Sequence, residues 1–94
     1  MVRARSETEL AAGKLISAIQ KEWGKELGWP GAEESEAVMS KGHDLLQAGK
    51  AEALQALLAG RSVAEYIGCV WLEKHASVKP AVDTLEQAIA RAIV

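Results

Sequence analysis

This 94-residue chain has no phenylalanine and no asparagine, a single cysteine and a single tyrosine. One cysteine excludes an internal disulfide, which fits a reducing compartment. The opening MVRARSETEL has arginines but no apolar stretch behind them, unlike a secretory signal. No apolar run approaches the roughly 20 residues that span a bilayer. The expectation is a cytoplasmic protein outside the membrane. No segment alternates apolar and polar residues over the length of a strand, so no sheet is expected. Excess positive charge is missing too. A formal net charge of −2 weighs against a nucleic-acid binder driven by phosphate neutralisation, which needs a basic face.

What is present is helical. Hydrophobic residues form 49% of the chain, enough for one folded domain, and the length leaves no room for a second core. Much of that fraction is alanine, which lets helices approach closely but buries little area. Self-association, most simply a homodimer, would relieve the shortage.

Ser6 and Glu9 form a capping-box pattern, in which hydroxyl and carboxylate satisfy free amide donors at a helix start. Ala12, Leu15, Ile16, Ile19, Trp23 and Leu27 then recur at helical spacing, predicting a helix from Ser6 to Leu27 that Gly28 and Pro30 end. GWPGAEESE connects to a second helix, with Glu33, Glu34 and Glu36 at its positive dipole end and Val38, Met39, Gly42, Leu45 and Leu46 along its stripe up to Gly49. A short third helix, KAEALQALLAG, turns Leu54, Leu57 and Leu58 inward and stops at Gly60. The fourth spans residues 62–75 behind a second capping box, Ser62 and Glu65. The last begins near SVKPAVD, where a first-turn proline is tolerated, and carries Val78, Val82, Leu85, Ile89 and Ile93. The whole reads as one all-α domain over residues 1–94, a compact array of about five helices, with residues 1–5 a flexible arm.

The stretch GRSVAEYIGCVWLEKH holds the cysteine, the tyrosine, a histidine and a tryptophan. Cys69 and His75 are six residues apart and diverge on a helix, whereas zinc sites present close local pairs. Glu65 shares a face with Cys69, and Asp44 adjoins His43, but neither pair makes a site. The simpler reading is a half-buried thiol and surface histidines. A nucleophile needs a base and a group that orients the base, and no catalytic phrase supplies them. Glu22 and Glu26 among Lys21 and Lys25 read as a solvated helix face. No cofactor, metal or catalytic residue is assigned.

At 100° per residue, Val63, Tyr66, Ile67, Val70 and Trp71 fall on one broad face of the fourth helix, with Glu65 and Glu73 roughly opposite. Cys69 and Leu72 fall beside those glutamates. A helix apolar almost all round touches neighbours on two sides, so the Cys69 and Leu72 side meets either another helix of this chain or a second chain.

LLAGRSVAEYI, through Leu57, Leu58, Gly60, Ser62 and Glu65, resembles the opening of the helix-turn-helix of LuxR-type response regulators. That resemblance implies a DNA-binding regulator with the next helix as reader. The pattern departs where the fourth helix runs on through Trp71 to His75. The next helix offers the nearly neutral set Lys79, Asp83, Glu86, Gln87 and Arg91, and a reader normally carries Arg, Lys, Asn or Gln among basic neighbours.

Trp29 lies in a turn beside Pro30, either as a lid over the core or as an exposed anchor of the kind enriched in binding hot spots. AIARAIV ends on apolar residues that need cover. The expectation is therefore a non-enzymatic protein–protein interaction or regulatory module that self-associates, with Trp29, Cys69, Leu72 and Ile93 as interface candidates. The alternatives are a DNA-binding regulator and a small thiol- or metal-dependent enzyme.

Overall fold

The computed structural model describes residues 7–93, with side chains for residues 7–92. Ser6 of the first capping box, the arm 1–5 and the Ile93 side chain lie outside the described residues. The helices are α1 (Glu7–Lys25), α2 (Ala32–Ala48), α3 (Ala51–Leu58), α4 (Val63–Ile67), α5 (Cys69–Lys74) and α6 (Lys79–Ile93), with a 3-10 turn at Ala76–Val78. The described residues contain no strand, and the fold is all-α as expected.

Side-chain bonds at the helix ends set the topology. The Thr8 hydroxyl donates to the carbonyl of Gly49, joining the start of α1 to the end of α2. The Ser35 hydroxyl donates to Glu26, joining the opposite ends, so α1 and α2 run antiparallel. Arg91 pairs with Glu7 and Ser77 with Glu22, which makes α6 antiparallel to α1 on its other side. The long helices thus order α2–α1–α6. The short helices cross between α2 and α6, with α3 and α4 both packing on α6.

Alanine and glycine permit that central position of α1. Ala11, Ala12, Leu15 and Ile19 are buried, and Gly42 of α2 faces Ile16 and Ile19 so closely that a Cβ there would sit 3.2 and 3.3 Å from their carbons. Leu45, Leu54, Val63, Ile67, Val82 and Leu85 are among the other residues of the core. Trp23 is half-buried, and Leu27 lies beyond the end of α1 and is exposed, so the outer end of the expected α1 stripe does not reach the core.

The main departure from expectation is at residue 68. The helix expected over 62–75 is two helices, because Gly68 adopts φ +122°, a region open to glycine and costly for residues with a Cβ. The break changes which residues face inward. Val70, expected on the core face, is 64% exposed, whereas Leu72 is 3% exposed and joins Trp71 in the core. The number of α-helices among the described residues therefore rises from about five to six. Ser62 and Glu65 do form the reciprocal capping box, with bonds of 3.1 and 3.0 Å.

Candidate functional site

A connected group of polar side chains joins the α1–α2 turn to α5. Ser35 is fully buried in the first turns of α2. Its hydroxyl accepts from the Trp71 indole N–H at 3.0 Å and donates to Glu26 Oε1 at 2.7 Å. The same Glu26 oxygen lies 3.0 Å from His75 Nε2, and His75 Nδ1 lies 2.8 Å from the Trp71 carbonyl oxygen. The imidazole stacks on the Trp71 indole. The Ser35 hydroxyl holds the Glu26 carboxyl below the usual carboxylate range; partial burial opposes this and the His75 ring assists it.

Local sequence explains each placement. The break at Gly68 starts α5 in a register that sends Trp71 inward, and His75 follows one helical turn later on the same side. Glu26 sits just past α1, where its N–H donates to the Trp23 carbonyl and its own carbonyl accepts from Trp29. Gly31 leaves room for the carboxylate, since a Cβ there would come within 2.8 Å of Glu26 Oε2.

This arrangement does not suit nucleophilic catalysis. Ser35 has no exposed surface, so its hydroxyl oxygen cannot reach a substrate, and both of its hydrogen bonds are spent inside the fold. Its chemistry is that of a fastener. It ties down the turn 26–31, whose outer side presents Leu27 at 58% and Trp29 at 70% exposure.

The interface candidates fall in different places. Trp29 is 70% exposed and is not a lid over the core. Leu72 is core: it faces α6 of its own chain, at the floor of a surface pocket of about 240 Å³ also lined by Cys69, Val82 and Asp83. Only 3% of Leu72 is exposed. Cys69, expected half-buried, is an exposed free thiol at the rim of that pocket. Ile93 lies outside the described side chains. Of the histidines, His43 is exposed, but His75 is a tied, largely covered ring and not the surface histidine expected. Spacing does not mark Glu26, Ser35 and His75 as a group, because they meet only in the fold.

The features behind the DNA-binding reading are engaged in structure. Glu86, one of the expected reader positions on α6, accepts from the N–H groups of Val63 and Ala64 at 2.8 and 3.4 Å, capping α4. Between α4 and α6 lie α5 and a 3-10 turn, not one tight turn. A groove of about 720 Å³ runs along α1 past Lys14, Lys21 and Lys25, where Glu22 bonds Ser77 and pairs with Lys25 at 3.8 Å. Among the described residues, no group of three or more His, Cys, Asp and Glu side chains is placed to hold a metal, and no helix is long and apolar enough to cross a membrane. No family model, curated protein or solved structure matches this chain.

Proposed function

We propose that the protein is a small interaction module that associates through the α1–α2 turn, with a second copy of itself as the partner. The observation that carries this reading is the exposure of Leu27 and Trp29 together on a turn held in place from beneath by Glu26, Ser35 and His75. A tied turn loses little conformational freedom on docking, so its apolar side chains contribute most of their burial energy to association. Tryptophan is the side chain most enriched among such anchors.

Charge supports a like partner. Exposed Lys21 and Lys25 precede the turn, and exposed Glu33, Glu34 and Glu36 follow it. A two-fold apposition sets the lysines of one copy against the glutamates of the other, as a self-complementary interface requires. Burying the exposed parts of Leu27 and Trp29 in both copies favours association, and two apolar side chains per copy make a small patch of the kind that gives a weak, reversible dimer. Sedimentation of the wild type and of Trp29→Ala across a concentration series tests it, since only an interface through the turn is weakened by that change.

A further inference from the structure

Both ring nitrogens of His75 lie within hydrogen-bond distance of oxygen atoms. A carbonyl oxygen only accepts, so Nδ1, at 2.8 Å from the Trp71 carbonyl, donates. An ionised carboxylate also only accepts, so Nε2, at 3.0 Å from Glu26 Oε1, donates as well. Both ring nitrogens carry hydrogen only in the imidazolium. Once the proton is lost, an Nε2 lone pair faces a carboxylate oxygen that already accepts from Ser35. The tie between α5 and the turn then becomes a repulsion.

We propose that His75 is a proton-operated latch on the α1–α2 turn, closed as the imidazolium and released on its deprotonation. The groups around the ring support this assignment. From the turn, Glu26 reaches it; from α2, the Ser35 hydroxyl reaches the shared carboxylate; from its own helix, the Trp71 ring covers one face. From α1, Glu22 stands one step away, bonded to Ser77 and paired with Lys25. Glu73 and Lys74 on α5 and Lys79 at the start of α6 are exposed to solvent. Glu26 is thus the charge to which an interaction joins the ring among the described residues.

The consequence is control of the surface that carries Leu27 and Trp29. That consequence rests on the interaction reading above, whereas the latch itself is a property of the free chain.

NMR on the monomeric protein, at a concentration low enough to prevent association, separates the two. The Trp29 and Ala32 amides, bonded to the carbonyls of Glu26 and Trp29, report the turn, and the Trp71 indole N–H reports its base. Between about pH 5.5 and about pH 8, the latch predicts that protection of these sites, corrected for intrinsic exchange, falls about tenfold in step with the His75 ring signal. In His75→Gln this step is absent. Glu26→Gln, which keeps size and hydrogen bonding but removes the charge, shrinks it. A His75 ring that titrates while turn and indole protection stay constant overturns the latch, as does an undiminished step in Glu26→Gln. Either result leaves dimerisation through Trp29 to be judged by sedimentation.

Discussion

The imidazole of His75 lies nearly parallel to the indole of Trp71, with ring centroids 4.1 Å apart and planes 15° from coplanar. One helical turn separates them, so α5 delivers both rings to the same side with no help from a distant element. Their polar edges diverge: the indole N–H turns to Ser35 and the imidazole Nε2 to Glu26. Since Ser35 and Glu26 are themselves bonded, the stacked pair closes a ring of contacts around the base of the α1–α2 turn.

Ser35→Ala should be the costliest small substitution in this group. It deletes both bonds of the hydroxyl and leaves the buried Trp71 N–H without its acceptor. Leaving a buried donor unpaired costs about 1–3 kcal/mol, so urea unfolding should show a loss in that range. Thr84→Ala, removing an exposed hydroxyl bonded within α6, should cost under about 0.5 kcal/mol.

Acid should weaken the fold through Glu26. Its carboxyl is held below the ordinary value of 4.5, so the folded state favours the ionised form. This contribution is fully present above 4.5 and is lost as pH falls through the depressed folded value. Stability measured by urea midpoint from neutral pH downward should show a steeper acid limb in wild type than in Glu26→Gln, which has no carboxyl to protonate.

The glycines separate by their surroundings. Gly13 and Gly24 lie within α1 with nothing within 4 Å of a built Cβ, so each change to alanine should raise stability by up to about 1 kcal/mol through helix propensity. Gly42→Ala carries the same propensity gain but presses on Ile16 and Ile19, so it should give no gain, and Gly42→Val should destabilise by about 1–3 kcal/mol. Gly68→Ala forces a Cβ onto φ +122° and should cost about 1–3 kcal/mol. Thermal melts of this set check the ordering.

Trp29→Ala should leave the monomer intact. With 70% of its surface exposed, Trp29 contributes little to the core, and the unfolding midpoint should move by under about 0.5 kcal/mol. Loss of association without loss of stability would mark the residue as an anchor.

The sequence discloses local signals well and meetings between distant residues poorly. The Ser62–Glu65 cap and the stripe of Val82, Leu85 and Ile89 follow from spacing alone, because their causes lie within a helical turn or two. Gly68 is visible as a glycine, yet helices tolerate glycine at modest cost, and only the packing of Trp71 and Leu72 together decides for a break. Glu26 and His75, 49 residues apart, look like members of solvated faces until α5 is set against the turn. Sequence alone leaves Trp29 between lid and anchor, because exposure of a turn residue depends on where the core lies.

Association through the α1–α2 turn is tested most directly by sedimentation of wild type and Trp29→Ala side by side, from micromolar to millimolar concentration, at a pH where His75 is protonated. The wild-type mass should rise from monomer toward dimer, and the variant should remain folded but stay monomeric over most of the range. A wild type that stays monomeric throughout, or a variant that dimerises as readily as the wild type, would contradict it.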